Sequence, residues 1–317
     1  MDVSMLLKIM RFYIRFTPSF TRLGYYARRP FWGADKRDFS RQHWLVTGAS
    51  GGIGKAIVRG AVKCGATVTA VARDPQKLAA LTGASPNHIE SMMTDLSLQY
   101  EVELLAKTLI SRGKKIDVLI NNVGILNDEC IVTKEGHEVT FAINVLNQYL
   151  LTKRLLEAGI LAKDSVVIMM ASAGMYNVSL MPTMMNRTDI KTFRGTAAYG
   201  FHKRGQAALT AYWQEKASLN GRKFYVMHPG WADTDGVKRS LPRFRKILQS
   251  ILRNAEQGAD TALWLAATKP KADYPASFWF DRKPRKAHVY SRTQVPACNE
   301  HEFVDFLESE LAKGWCN

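Results

Sequence analysis

The run AAYGFHKRGQAAL, residues 197 to 209, sets a tyrosine and a lysine four positions apart, Tyr199 and Lys203. In a helix, positions i and i+4 share a face, so the phenol and the ammonium become neighbours. A free phenol has a pKa near ~10, and an adjacent positive charge favours its ionised form, which eases proton exchange near neutrality. The same pair also occurs on ordinary solvated helix faces, so its meaning rests on its surroundings.

A second constellation is TGASGGIG, Thr47 to Gly54, which places glycines at 48, 52 and 54 between a β-branched run and a helical pattern. Glycine there lets the backbone turn sharply and approach a pyrophosphate, whose charge meets the exposed N–H groups of a helix N-terminus. Ser50 and Ile53 belong to the same loop and are candidate cofactor contacts with the three glycines. A strand before the loop and a helix after it are the context such a motif requires.

From about residue 43, short β-branched runs alternate with longer helical patterns. HWLVTG precedes KAIVRGAVKCG, ATVTAVAR precedes PQKLAAL, and HIESMMTDL precedes LQYEVELLAKTLISRG. The series continues through DVLINNVG, a helix over roughly 134 to 158, SVVIMMASA, the helix of Tyr199, and KFYVMHPG. This cadence predicts an α/β, doubly wound domain over residues 40–285, its parallel sheet covered on both faces. A last strand is expected in SFWF, 277 to 280, and a terminal helix in EFVDFLESELAKG. The chain therefore reads as one core, flanked by a basic amphipathic extension over residues 1–39 and a helical extension over residues 286–317.

No apolar run approaches the roughly 20 residues that span a bilayer, which excludes a multi-span membrane protein. The cysteines, Cys64, Cys130, Cys298 and Cys316, are too scattered for a zinc knuckle or a redox pair, and a reducing compartment fits them. No histidine has metal-ligand spacing, so no metal is expected. Of the +16 formal charge, residues 1 to 34 and 236 to 255 together supply eleven. Nucleic-acid binding is not expected, because no recognition motif accompanies that charge.

At the start of the chain, Lys8, Arg11 and Arg15 fall on one helical stripe and Met5, Leu6, Ile9, Met10, Tyr13 and Phe16 on the other, with the helix expected to end near Pro18. Three readings are open: a helix packed on its own domain or a partner, an interfacial membrane anchor, and a mitochondrial presequence. A secretory signal is disfavoured, since the three basic residues interrupt any apolar centre. A cytoplasmic protein with peripheral membrane contact through residues 1–34 and 236–255 is the expectation, with the mitochondrion as alternative.

The glycine spacing, three residues between the first two and one between the last two, resembles that of the short-chain dehydrogenase/reductase family, and further motifs carry the resemblance over about residues 43 to 285. The resemblance implies that Asp95 of TDLS contacts the adenine and that Asn122, in NNVG, supports the sheet beside the cofactor. Val123 departs from the commoner alanine and crowds the adenosine side. Asn144 in FAINVLN, Ser172 in MMASAG, Tyr199 and Lys203 match the family's catalytic tetrad. Tyr199 would be the proton donor to a carbonyl oxygen, Ser172 would hold that oxygen, Lys203 would lower the phenol's pKa and hold the ribose, and Asn144 would kink its helix and position a relay water. HPGWADT matches the family's Pro-Gly-x-x-x-Thr and sets Thr234 against the nicotinamide carboxamide. HPGWADTDGV, EQGADTALWLA and FWFDRKP most resemble the member 12 branch, near the retinol dehydrogenase-like group. A homodimer is the family's default.

In this fold an acid closing the second strand binds a ribose 2′-hydroxyl, and an arginine accommodates a 2′-phosphate. That strand ends in Arg73 with no earlier acid, which favours NADP(H); Asp74 follows directly and keeps NAD(H) as the alternative. Between Ser172 and Tyr199 lies an insert containing Met175, Met181, Met184 and Met185, suited to adaptable apolar contacts or to packing on itself. After Thr234, DGVKRSLPRFRKILQSILRN occupies the place of a substrate-covering segment, and Trp231, Phe280 and Asp281 are candidate pocket residues. His228 is read as structural. The chain is thus expected to be an NADP(H)-dependent oxidoreductase interconverting a small-molecule carbonyl and alcohol, with a lipophilic substrate such as a retinoid or steroid. An epimerase or dehydratase is disfavoured by the glycine spacing; the alternative of another class is a catalytically idle NAD(P)-binding protein recruited to a membrane or partner.

Overall fold

The computed structural model describes residues 3–34, 36–217, 221–271 and 278–314. Two helices lead in, α1 (Val3–Phe20) and α2 (Arg22–Arg28). The core then alternates β1 (His43–Thr47), α3 (Gly52–Lys63), β2 (Thr67–Ala72), α4 (Pro75–Gly83), β3 (Ile89–Met93), α5 (Gln99–Arg112) and β4 (Ile116–Asn121). After it come α6 (Val139–Phe141), a π turn (Ala142–Leu146), α7 (Asn147–Glu157), β5 (Leu161–Met170), α8 (Gly195–Ala217) and β6 (Lys223–Met227). The chain closes with α9 (Asp235–Ser240), α10 (Pro242–Leu248), α11 (Ala255–Thr268), β7 (Phe278–Phe280), β8 (Lys283–Arg285) and α12 (Glu300–Gly314).

The sheet order is β3-β2-β1-β4-β5-β6-β7-β8, parallel throughout except for β8. Reversal of the strand order after β1 makes the doubly wound topology, and it opens a crevice at the strands' C-terminal ends. Successive residues of a strand point to opposite faces. In β1, Trp44 and Val46 therefore enter the layer under α3, α4 and α11, while Leu45 enters the layer under α5, α7, α8 and α12. Both faces are covered, which is why the strands read as apolar runs.

One expectation needs correction, one boundary sharpens, and one strand was not foreseen. The helix predicted from 134 begins at Val139: the chain turns at Gly136, Val132 and Glu138 form a bridge, and the Glu138 carboxylate accepts the N–H groups of Thr140 and Phe141, so a cap occupies the predicted first turn. The first helix ends at Phe20, near Pro18 as expected. A proline near the end forfeits only one internal bond, and Phe16 and Phe20 bury themselves in the core on either side of it. Finally, β8 has no counterpart in the sequence reading. It pairs with β7 across Asp281 and Arg282, both left-handed at φ 49° and 59°, a hairpin turn made without glycine.

Neither extension hangs free of the core. Phe16 and Phe20 of α1 and Phe303, Leu307 and Leu311 of α12 share one hydrophobic cluster with the sheet. Of the described side chains of the first helix, Phe16 and Phe20 pack on their own domain, while Met10 and Ile14 stay exposed. Ser277, the expected first residue of the last strand, and Cys316 lie outside the described residues.

Candidate active site

β1 delivers the chain into the glycine loop. Gly48 and Gly52 adopt φ of 65° and 50°, a region closed to most side chains, and a Cβ on Gly54 would stand 2.1 Å from the Gly48 carbonyl. The end of β4 braces the loop: Asn122 Nδ2 donates to the carbonyls of Thr47 and Gly48 at 2.9 and 3.2 Å, and Thr47 Oγ1 accepts the N–H groups of Asn122 and Val123. Asn122 thus spends its amide on shaping the loop. The N-cap of helix α3 is Gly51, which offers no side-chain cap, so the N–H groups of its first turn remain for an anion. A Cβ on Gly51 would meet nothing within 4 Å, so that side of the loop is open and the cradle fits a pyrophosphate. Ser50 is half-buried in the loop, and the Ile53 side chain turns away toward Gly258 of α11.

Beside this loop β2 ends at Ala72, leaving Arg73 exposed. Asp74 instead accepts the Lys77 N–H at 3.0 Å as the cap of α4, and this bond holds its carboxyl below the usual carboxylate range. Asp95, past the end of neighbouring β3, folds its Oδ1 onto the Ser97 N–H at 2.9 Å.

The tetrad candidates converge from three elements. Helical spacing on α8 sets the Lys203 ammonium over the Tyr199 ring, 5.3 Å from its centroid. Gly174 lies against the ring, where a Cβ would make ordinary contact with Tyr199 Cδ1 at 3.6 Å. Burial pushes the Tyr199 phenol up to about 12, and a hydrogen bond with Ser172, just beyond β5, pulls the other way. Lys203 is 2% exposed; its Nζ donates to the Met170 carbonyl at 2.7 Å and to Gln206 Oε1 at 3.1 Å, and burial lowers it to about 7. Asn144 sits within the π turn, its amide paired reciprocally with the backbone of Ile125 at 2.8 Å in both directions.

Residues 42–243 match the family model described as short chain dehydrogenase. The chain is a short-chain dehydrogenase. Over 277 residues the dehydrogenase is 35% identical to "Dehydrogenase/reductase SDR family member 12" of Bos taurus, covering 85% of this chain and 86% of that one. It is 25% identical over 289 residues to "Retinol dehydrogenase 13" of Homo sapiens, covering 85% and 83%. Two solved structures share its fold. A protein from Beutenbergia cavernae with bound NADP superposes at TM-score 0.60 and 20% identity, covering 74% of this chain and 92% of that one. A 3-ketoacyl-(acyl-carrier-protein) reductase from Brucella melitensis complexed with NADH does so at 0.59 and 20%, covering 73% and 93%. The protein is an NAD(P)-dependent oxidoreductase.

After β6, Thr234 caps α9 by accepting the Val237 N–H, and its methyl would lie 3.2 Å from a Cβ on Gly52, so this segment closes against the glycine loop. Trp231 meets Phe244 of α10 at 5.1 Å, Tyr13 and Phe20 of α1 each at 5.7 Å, and donates its backbone N–H to the Phe20 carbonyl. Phe16 stacks on Tyr176 at 5.6 Å, so α1 packs its rings against both Tyr176 and Trp231. The pocket expectation fails for Asp281, whose buried carboxylate is held by Arg253 and Arg28, and for Phe280, which is 3% exposed and packs on Phe20 and His228. Met175 and Met185 are wholly buried, so half of the methionines in the insert serve the core. His228 is structural in its surroundings, enclosed by Phe20, Phe278 and Phe280.

Sequence reasoning missed Gln206 and Gln148. Gln206 Nε2 donates to the Asn144 carbonyl at 2.9 Å and to Gln148 Oε1 at 2.8 Å. Its position three residues after Lys203, on the same helical face, was the available signal.

Proposed function

We propose that this dehydrogenase reduces a lipophilic carbonyl compound with NADPH, Tyr199 giving the proton to the nascent alkoxide. The observation that carries the reading is the buried Lys203 ammonium over the Tyr199 ring with Ser172 alongside. Bound NADPH would supply the hydride. Ser172 holds the carbonyl oxygen, and Lys203 favours the phenolate that remains after proton transfer, which counteracts the upward push of burial on Tyr199. The α3 N-terminus holds the pyrophosphate, and Thr234 is the group facing the nicotinamide. Arg73 is the side chain free to meet a 2′-phosphate, because Asp74 is engaged as a helix cap; this supports NADP(H) over NAD(H). The half-buried Trp231 and Phe244 line the aromatic side of the substrate space, which favours an apolar carbonyl.

Docking on an anionic lipid surface belongs to the same proposal. Ile14, Phe31 and Ile247 are 71%, 81% and 77% exposed, among the exposed Arg11, Arg15, Arg22, Arg29, Arg243 and Lys246. The ring contact of Tyr13 with Phe244 and the bond from Arg22 N–H to the Ile251 carbonyl join these segments. Apolar side chains within a basic surface suit an interface of acyl chains and acidic headgroups. No described helix is long and apolar enough to cross a membrane.

The test is NADPH oxidation over a panel of retinoid, steroid and simple aromatic carbonyls. Positioned acid–base help is worth roughly 10² to 10⁴ in rate, and Tyr199→Phe should lose a factor of that order while still binding NADPH. Binding without turnover on any carbonyl would favour an idle dinucleotide-binding protein. Flotation with phosphatidylserine vesicles tests the surface: Ile14→Glu with Ile247→Glu should abolish it, and unchanged flotation rejects the docking.

A further inference from the structure

The π turn alters which backbone groups face α8. Asn147 N–H reaches back to the Ala142 carbonyl, not to that of Ile143. The Ile143 carbonyl accepts Gln148 Nε2 at 3.1 Å, and the Asn144 carbonyl accepts Gln206 Nε2 at 2.9 Å. Gln148 Nε2 also donates to the Val123 carbonyl at 2.7 Å, so its Oε1 must face Gln206. Gln206 therefore meets two acceptors on one side, the Asn144 carbonyl and Gln148 Oε1, and must turn its Nε2 toward them. Its Oε1 is left for Lys203, with the amide orientation settled by donor and acceptor matching. All three side chains are buried.

We propose that Gln206 is the positioning residue of this site, holding the Lys203 ammonium from behind and fixing its charge beside Tyr199. The Met170 carbonyl and Gln206 Oε1 take two of the three N–H donors of Lys203. The third is left on the side where Gly124 has no side chain, since a Cβ there would stand 3.1 Å from Nζ. A bound ribose would approach from that side. The amide accepts a hydrogen bond but is neutral and gives up no proton near neutrality, so it steadies the charge without relaying it, and its Nε2 occupies the Asn144 carbonyl. The inference rests on the dinucleotide-binding part of the proposed function and deepens it.

The titratable groups facing Lys203 are Tyr199 and His202 on its own helix and His228 at the end of β6. Burial lowers His202 to about 4 and His228 to about 3, and Tyr199 lies near 12, so none titrates between pH 6.5 and 10. In that window Lys203 is the group that changes charge, and loss of its ammonium weakens a bound dinucleotide. NADPH affinity, read by tryptophan fluorescence quenching, should therefore fall as pH rises, with a midpoint set by Lys203. Gln206→Leu should move the midpoint down by about one pH unit, a tenfold change in the proton equilibrium, and Gln206→Glu up by a similar amount. Gln148→Leu, which disturbs the same π turn without touching Lys203, should lower thermal stability and leave the midpoint in place. Midpoints that coincide within about 0.3 unit, or an equal shift in Gln148→Leu, would overturn the assignment. Gln206→Met, which keeps the side chain's length and sets no oxygen against the Asn144 carbonyl and Gln148 Oε1, should also lower the midpoint, so the comparison survives if the leucine or the glutamate variant does not fold. Unshifted midpoints with intact turnover sink Gln206 alone, whereas shifted midpoints without turnover on any carbonyl sink the proposed reaction alone.

Discussion

Arg253 and Asp281, each 1% exposed, are joined by two hydrogen bonds of 2.6 and 2.8 Å. Through this pair the β7–β8 turn is fastened to α1 and α2, because Arg253 Nε also donates to the Phe20 carbonyl at 3.0 Å and Arg28 Nε to Asp281 Oδ2 at 2.7 Å. The left-handed backbone at Asp281 and Arg282 is held in place by ion pairs, the second formed by Arg282 with Asp260.

Removing one partner of a buried pair leaves an uncompensated charge, which typically costs about 3–5 kcal/mol. Asp281→Ala should lower unfolding stability in urea by that amount and expose residues 3–20 to proteolysis. The double variant Arg253→Met with Asp281→Leu should be the milder. A loss below about 1 kcal/mol in the single variant contradicts the clamp.

Acid should unfold this protein through its buried histidines. His228 has neither ring nitrogen bonded, and burial, with Arg253 and Lys203 nearby, holds it at about 3; burial, opposed by a bond to the Met185 carbonyl, puts His202 at about 4. Both folded values lie below the ordinary ~6.5, so the unfolded chain binds the extra protons as pH falls. The stability present above pH 6.5 is then lost progressively toward pH 3, by an amount on the order of a few kcal/mol per histidine. Circular dichroism against pH should show His228→Phe holding its fold to lower pH than the wild type; coincident curves would count against this.

Gly54→Ala sets a methyl against the Gly48 carbonyl at 2.1 Å and Asn122 Nδ2 at 2.5 Å, both held in place. The loop must shift, at a cost of roughly 1–3 kcal/mol in stability. Dinucleotide affinity measured by calorimetry should fall more than about tenfold. Retained affinity would mean that the pyrophosphate does not use this loop.

Arg73→Ala tests the cofactor preference. A charge-assisted bond is worth about 1.5–3 kcal/mol, or roughly 10- to 100-fold. The dissociation constant for NADPH should rise by that factor and that for NADH hardly at all. Equal changes for both cofactors would remove Arg73 from the 2′-phosphate.

The sequence by itself determined the parallel sheet, the glycine loop and the Tyr199–Lys203 face, since each is written in contiguous residues: strand period, close-approach glycines and a spacing of four. The candidate tetrad was also legible, as four short motifs in order. What the tertiary structure decided lies between residues far apart in the chain. Gln206 finds Asn144 across 62 positions and Asp281 finds Arg28 across 253, so no local pattern announces either. The β7–β8 turn was hidden for the same reason, because it relies on ion pairs from other elements where glycine would have signalled it. The apolar stripe of the first helix left a core, a membrane surface and a presequence all open. Only the positions of Tyr176 and Trp231 assign Phe16 and Phe20 to the core, because burial depends on which surface reaches the side chain first, and a stripe cannot encode that.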